Sequence, residues 1–366
     1  MIENRKVGIN KNMLIFLLSI IPISCVSLYY HFEIMPAKSF ATPDRILNIL
    51  EYINCGGFDE TNIFVKCARI YDYINIFDFK TVFQWTVAIN IVFNAIIASI
   101  ILKYKSLTLE ELIFLLVYLF LLDVFVYNLS KEPIQLVVYI LVFVISIIKI
   151  SNLKKIIICS AIFILESMWF RAYYILIAGL TILIYFLLIR FANSTKKKKN
   201  AFIVFVLIIV AFLISMYAMK YISPENYDQL INRRNNSEAY LGVYTETLIA
   251  DVFENSNHLL YACNYITNLI RIYFPIELLF KGVKYIPFVV YQLYIIFYVI
   301  KSVKNINKKN IVNITLILSY LFCSVTFEPD FGSVIRHETV LFLFFLLMVK
   351  LCNKKEKENY EKRINN

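Results

Sequence analysis

Long apolar runs separated by short polar segments form the main pattern of this 366-residue chain. Crossing a bilayer as an α-helix takes about 20 mainly apolar residues, and most of the runs approach that length. The pattern therefore predicts an all-α, polytopic membrane protein with a single multi-spanning domain over residues 1–366. We assign about ten transmembrane helices, at residues 13–30, 81–102, 112–127, 134–149, 156–169, 172–189, 201–219, 285–300, 311–327 and 339–351.

The boundary between the fifth and sixth predicted helices is the weakest in this pattern. The apolar run from residue 156 to residue 191 is too long for one crossing, and Glu166 and Arg171 interrupt it. Placing a charge in hydrocarbon costs about 2.5–3.5 kcal/mol on insertion scales. Both side chains should therefore find a partner or face a wet cavity, and we place the break between the two helices beside Arg171.

Charge gives this topology an orientation. The chain has 37 Lys and Arg against 26 Asp and Glu, for a net charge of +11. The basic residues concentrate between alternate predicted helices, which places those segments and both termini in the cytoplasm. Two large loops, residues 31–80 and 220–284, then lie outside. The first helix lacks a small-x-small cleavage site directly after it and is interpreted as an anchor. The basic charge thus reports topology, and no nucleic-acid partner is expected.

Composition also excludes several classes of site. The cytoplasmic segments are short, and only seven glycines occur, without a glycine-rich phosphate loop. The seven cysteines form no CxxC pair, and the three histidines have no metal-ligand spacing. We therefore expect no nucleotide-binding domain, no metal site and no cofactor.

A group of charges of mixed sign lies between two apolar runs in FEPDFGSVIRHE, residues 327–338, which contains Glu328, Asp330, Arg336, His337 and Glu338. Pro329 and Gly332 predict a turn here, and Ser333 is the predicted N-cap of the last helix. Arg336 would then lie in the first turn, where free amides, the helix dipole and a guanidinium together favour a phosphate or diphosphate. The alternative is a polar turn that only faces solvent.

Other candidate residues lie in the remaining outer segments. Asp44 in ATPDR is a candidate carboxylate that equally suits a helix cap, and two amphipathic helices are expected near it, within residues 46–53 and 63–77. Lys131 precedes a helix start and is either an anion ligand or an ordinary charged cap. In the second large loop, a lid or glycan groove is predicted from Arg233, Arg234, Tyr240, Tyr244 and Arg271, although a belt of interfacial tyrosines explains the aromatic pair as well.

Three short pieces carry a resemblance to a known family: NLSKEP, Arg171-x-Tyr173, and EPDFGSVIRHE. With the many helices and charged outer loops, the chain resembles bacterial polysaccharide polymerases of the Wzy and EpsG type, and more distantly the GT-C membrane glycosyltransferases. The resemblance implies an enzyme that polymerises lipid-linked repeat units at the outer face of the cytoplasmic membrane, for capsule, O-antigen or exopolysaccharide. Its substrate would be a glycan on polyprenyl diphosphate, within membrane lipid, and other polysaccharide-assembly membrane proteins are further candidate partners.

The implied reaction assigns roles to the candidate residues. Arg336, Arg171 and Lys131 would neutralise the departing diphosphate. The acceptor proton would go to one of five residues: Glu328, Asp330, His337, Glu338 or Asp44. Many GT-C enzymes use a carboxylate in the first outer loop, the position of Asp44, but this chain has PDR there and not a two-acid motif.

Three other functions remain open. A flippase for the same lipid-linked glycan ranks lower, because no charge is expected at mid-bilayer and the two halves show no repeat. A GT-C enzyme that adds single sugars is the second alternative. A membrane acyltransferase that uses His337 is the third.

Overall fold

The computed structural model describes residues 10–35, 41–104, 106–192, 197–222, 224–235, 247–253 and 258–364. Within these residues the chain is helical and contains no β-strand, although Leu248 and Asp330 form an isolated antiparallel bridge.

The described residues contain fifteen α-helices, some of which are extended by short 3₁₀ or π turns. They are α1 (Lys11–Tyr29), α2 (Ala41–Tyr52), α3 (Ile63–Ile74), α4 (Val82–Ile101), α5 (Leu109–Phe125), α6 (Glu132–Ile147), α7 (Asn152–Trp169), α8 (Tyr174–Ala192), α9 (Lys197–Ile222), α10 (Pro224–Asn235), α11 (His258–Tyr273), α12 (Ile286–Lys304), α13 (Ile311–Phe327), α14 (Phe331–Thr339) and α15 (Phe342–Ile364).

Each of the ten apolar segments identified in the sequence overlaps one of these helices, although the ends differ and the tenth segment begins at the last residue of α14. Among the described residues, five helical segments are long and apolar enough to cross a membrane: Lys11–Ile34, Val82–Ile101, Tyr174–Ala192, Ile203–Tyr221 and Val283–Lys304. Shorter apolar helices occur at Glu132–Ile147, Ile311–Phe327 and Phe342–Asn353. The apolar helices indicate a helical membrane protein.

Side-chain caps explain where several helices begin. Asn10 accepts a hydrogen bond from the Met13 amide at 2.9 Å, just before α1. Capping boxes start α4 and α5, formed by Thr81 with Gln84 and by Thr108 with Glu111. These side chains satisfy amides that the first helical turn leaves without a partner.

The break beside Arg171 lies where the sequence indicated. Helix α7 ends at Trp169 and α8 begins at Tyr174. The amides of Phe170 and Arg171 both donate to the Glu166 carbonyl, at 2.8 and 3.2 Å, which closes the last turn of α7. The predicted amphipathic segments are also helical, as α2 and α3. Helix α2 begins at Ala41, so Asp44 lies in its first turn and not before it.

Residues 1–140 and 336–346 form one compact unit, called here the first unit. In it, α1 packs against α5 and α4, and α2 packs against α3. The ring of Tyr118 lies 4.4 Å from that of Phe114 and 6.3 Å from those of Phe342 and Phe345, measured between centroids. The start of α15 thus belongs to the core of this unit.

Residues 141–335 and 347–366 form the second unit. Helix α13 is its centre, because all 17 of its residues are buried and it packs against α7, α8, α9 and α11. Thr181 donates to Ser319 Oγ at 2.9 Å, and Tyr265 OH donates to the Phe322 carbonyl at 2.7 Å. Hydrogen bonds thus satisfy the polar groups where these apolar helices meet.

Candidate anion-binding site

Two basic side chains of the first unit approach Glu132, the first residue of α6. Glu132 is only 2% exposed. Arg336 Nε lies 3.5 Å from Glu132 Oε1, and His337 Nε2 lies 3.6 Å from the same oxygen. A buried carboxylate is tolerated only with cationic or hydrogen-bonding partners. Arg336 and His337, both in α14, are these partners.

These neighbours decide the protonation state of Glu132. Burial raises the pKa of its carboxyl, but the Arg336 guanidinium, His337 and Lys131 more than offset burial. The net pKa lies well below the ordinary value of 4.5. Glu132 is therefore a carboxylate at neutral pH and attracts both basic side chains.

Two further cations lie over the ring of Phe64. The Arg45 guanidinium carbon lies 4.3 Å from the ring centroid, and Lys131 Nζ lies 6.0 Å from it. Cations at these distances are attracted by the electron-rich face of the ring. Tyr71 OH donates to the Ser130 carbonyl at 2.6 Å, which ties α3 to the turn that carries Lys131.

Arg45, Lys131 and Arg336 are called the basic cluster below. They come from three separate segments of the first unit and are linked through Phe64 and Glu132. The Arg336 side chain keeps 37% of its surface exposed although it faces Glu132. A guanidinium that is still accessible suits a phosphate or diphosphate, and Lys131 adds positive charge beside Glu132. The arrangement can therefore bind an anion.

An open cavity of about 420 Å³ adjoins Arg45. Its lining combines a carboxylate, a guanidinium, an amide and two aromatic rings, from Asp44, Arg45, Asn48, Ile49, Tyr52 and Phe58. Asp44 is thus placed at a cavity of the first unit, next to a member of the basic cluster.

The start of α14 differs from the prediction. The helix begins at Phe331, so Ser333 lies inside it and the prediction that Ser333 is an N-cap is wrong. Asp330 occupies that role: Oδ1 accepts from the Ser333 amide at 2.9 Å, and Oδ2 accepts from Ser333 Oγ at 2.6 Å. Aspartate is as good a cap as serine, and it precedes the first turn here. Both oxygens of this candidate base are engaged in the cap.

The predicted position of Arg336 is also wrong. Arg336 and His337 lie in the last turn of α14 and not in the first. The free amides of the helix start therefore do not face Arg336. A cation in the last turn is instead favoured by the negative end of the helix dipole, and Glu132 adds to that attraction.

The other two acids of this segment are buried. Glu328 directly follows α13 in the second unit and is 0% exposed. Glu338 belongs to the first unit and is 1% exposed. Their roles as candidate bases stay predictions.

Arg171 belongs to the second unit and has aromatic neighbours. Its guanidinium donates to Tyr173 OH and lies over the Tyr173 ring, 5.5 Å from the centroid. Tyr173 in turn stacks on Phe327, with ring centroids 3.9 Å apart. Arg171 is buried, and its partner Tyr173 connects the α7–α8 turn to the end of α13.

The lid residues are described only in part. Arg271 forms a two-pronged ion pair with Glu277, at 2.8 and 2.9 Å, and donates to the Ala250 carbonyl at 2.6 Å. Tyr240 and Tyr244 lie outside the described residues, as do the side chains of Arg233 and Arg234 on α10. Their lid role stays a prediction.

Asp123 is a buried acid whose side chain meets the middle of a neighbouring helix. Its carboxyl oxygen Oδ1 lies 3.3 Å from Asn94 Nδ2, and Asn94 is near the middle of α4. Asp123 is 1% exposed. The sequence placed it at a helix end, whereas packing directs its side chain to the middle of a neighbouring helix.

Glu132 and Arg45 are the functional candidates that the sequence did not reveal. Glu132 has the local pattern of a charged helix start, and Arg45 follows Asp44 in ATPDR. The position of Glu132 between Lys131 and Pro133 is a sequence signal for a charged helix start. No sequence pattern near Glu132 predicts its contact with Arg336.

Comparison with known proteins found no relative of this chain. No protein-family model, no curated protein and no solved structure matches this chain. The candidate site is therefore defined by its own geometry.

Proposed function

We propose that this protein is a membrane glycosyltransferase that joins lipid-linked oligosaccharide repeat units at the outer face of the cytoplasmic membrane. The observation that carries the proposal is the basic cluster beside the ionised Glu132. A polyprenyl diphosphate donor complements this cluster, because it presents an anionic group at a membrane surface. Ten crossings, cytoplasmic termini and outer loops at residues 31–80 and 220–284 belong to the same proposal.

The proposed reaction is a glycosyl transfer. A hydroxyl oxygen of the acceptor sugar forms a bond to the anomeric carbon of the donor. The bond between that carbon and the diphosphate oxygen breaks, and polyprenyl diphosphate leaves with the electron pair. The hydroxyl proton passes to a general base.

The neighbours of Glu132 favour His337 as that base. When the imidazole takes a proton, the carboxylate 3.6 Å from its Nε2 stabilises the imidazolium. Glu132 then acts as a positioning residue. Arg336, Lys131 and Arg45 stabilise the charge that develops on the diphosphate. Asp44, at the cavity, is the alternative base and a candidate contact for the acceptor sugar.

The direct test uses purified protein in liposomes that contain lipid-linked repeat units. We expect these units to lengthen without nucleotide sugars, ATP or an ion gradient, and added polyprenyl diphosphate to inhibit. Arg69 provides a matched control, because it forms an exposed ion pair with Glu60 in the same unit. Arg336→Gln should stop lengthening and Arg69→Gln should not. Folded protein that lengthens nothing contradicts the proposal.

A second candidate function is a flippase for the same substrate, and the buried Asp123 favours it. Ionisable residues inside a membrane often line transport pathways. The two functions differ in where single units accumulate when the gene is deleted. A polymerase mutant should hold them on the outer leaflet, where an added glycosidase reaches them. Units that stay protected inside would favour the flippase.

A further inference from the structure

Polar side chains from α1, α4 and α5 meet inside the first unit. The Asn94 amide nitrogen is 2.8 Å from Asn90 Oδ1, 2.9 Å from Ser24 Oγ and 3.3 Å from Asp123 Oδ1. All four residues are at least nine-tenths buried. Ser24 and Asn94 lie on helices that are long and apolar enough to cross a membrane.

The hydrogen bonds of this group leave several buried atoms without a partner. An amide NH₂ group has two protons, yet Asn94 Nδ2 faces three oxygens. Asp123 Oδ2, Asn94 Oδ1 and Asn90 Nδ2 are buried and have no hydrogen-bond partner among the described residues. The side chains that stabilise Asp123 are the hydroxyls of Ser24 and Ser27 and the amides of Asn90 and Asn94. These groups are neutral, so the carboxylate charge is not balanced by them.

The opposite orientation of the Asn94 amide would allow a cation to satisfy these buried oxygens. Amide oxygen and nitrogen have nearly the same shape, and the hydrogen-bond network decides which of them faces which neighbour. A half-turn of the amide would direct Asn94 Oδ1 toward Asn90 Oδ1, Ser24 Oγ and Asp123 Oδ1. Four oxygens from three helices would then converge. A cation among them would balance Asp123 and satisfy the oxygens together.

We propose that Ser24, Asn90, Asn94 and Asp123 form a binding site for a single sodium ion between α1, α4 and α5. Hard cations prefer carboxylate, amide and hydroxyl oxygens. One carboxylate balances one positive charge, whereas calcium sites in proteins commonly use several carboxylates. A proton on Asp123 would instead remove the charge and join two of the oxygens by a hydrogen bond. The site is independent of the proposed transfer reaction.

Sodium binding should be visible as thermal stability of the full-length protein, because a ligand that binds only the folded state stabilises it. Purified protein is melted in sodium chloride and in choline chloride of equal ionic strength. We expect the Tm in sodium to be higher by about 2 °C or more at saturation. Equilibrium binding of ²²Na⁺ should give about one ion per chain, as expected for a single site.

Asp123→Asn keeps the shape of the side chain and removes its charge, so it should abolish both the Tm difference and the binding of ²²Na⁺. Glu110→Gln, at the other end of α5, is the matched control and should retain both. If Asp123→Asn does not yield folded protein, Ser24→Ala removes one ligand and should raise the sodium Kd several-fold.

Three results would overturn the proposal. The first is equal melting and no ²²Na⁺ binding in the wild type. The second is a Tm that follows pH and not sodium, which would identify a protonated hydrogen-bond network. The third is unchanged sodium binding by a folded Asp123→Asn or Ser24→Ala variant.

Discussion

Arg336 and Arg171 have the same predicted role and different surroundings. Arg336, in the first unit, faces the Glu132 carboxylate and keeps 37% of its side-chain surface exposed. Arg171, in the second unit, is buried, donates to Tyr173 OH and lies over the ring of that tyrosine. The accessible guanidinium can still take an anion, whereas the buried one is already used in packing.

The comparison shows that a charged side chain in an apolar chain can serve ligand binding or packing. Burial removes water from both guanidinium groups, and different partners compensate for that loss. A carboxylate neutralises Arg336 and leaves part of its surface free for a ligand. The hydroxyl and ring of Tyr173 contact Arg171, and the Glu166 carboxyl is an electrostatic neighbour of its guanidinium. A change at Arg336 should therefore lower mainly the activity, whereas a change at Arg171 should lower mainly the stability.

The largest expected effect is on activity at Arg336. Arg336→Gln should reduce chain lengthening about 100-fold or more, as removal of a transition-state donor commonly does. Arg336→Lys should be nearly as inactive, because a point charge does not reproduce the planar two-pronged contact. Lengthening by purified protein in liposomes, with the Tm of each variant, measures both effects.

Arg171→Gln tests the other arginine of this comparison. We expect a lower Tm, with lengthening reduced only in proportion to the folded protein that remains. If Arg171→Gln melts like the wild type and is inactive, Arg171 belongs to the diphosphate site as the sequence predicted.

The next effect concerns stability at Glu132. Glu132→Ala leaves His337 and part of Arg336 desolvated without a carboxylate. It should cost about 3 kcal/mol, the lower end for a broken buried pair, since Arg336 is partly exposed. Glu60→Ala breaks the exposed pair with Arg69 and should cost less than about 1 kcal/mol. Reversible unfolding of the two variants in the same detergent measures the difference.

The pH dependence of this pair follows from the lowered pKa of Glu132. A carboxyl with a depressed folded pKa contributes stability that is present above its unfolded pKa and is lost as pH falls toward the folded pKa. The stability gap between wild type and Glu132→Gln should therefore narrow as the pH falls below 4.5, the ordinary pKa of the carboxyl. A gap that narrows already near pH 6 would contradict an ionised Glu132.

The smallest effect tests Asp330. Asp330→Ala removes the cap of α14 and should cost about 1 kcal/mol, while Asp330→Ser restores a hydroxyl cap and should recover most of that loss. Chain lengthening separates the cap from a catalytic role. An Asp330→Ser protein that is stable and inactive would identify Asp330 as the base and displace His337.

The approximate positions of the apolar helices were predictable because their causes are local. Apolar runs located ten helices, and the charges at Glu166 and Arg171 located the break between α7 and α8. The start of α14 was misplaced, although its signals are local too. Asp330 and Ser333 are both good caps, and the choice depends on which side chain reaches the free amides.

The sequence by itself determined the class of this protein: a helical, apolar chain whose charges lie mainly between the apolar runs. Only the tertiary structure decided which charges meet. Helix periodicity depends on neighbours three and four positions away, whereas the pairing of Glu132 with Arg336 and His337 depends on how helices distant in sequence pack. The same applies to Asp123, whose side chain meets Asn94 and Ser24 only after three helices assemble. A buried charged side chain needs a partner because it has lost its water, and the packing of the helices decides which residue that partner is.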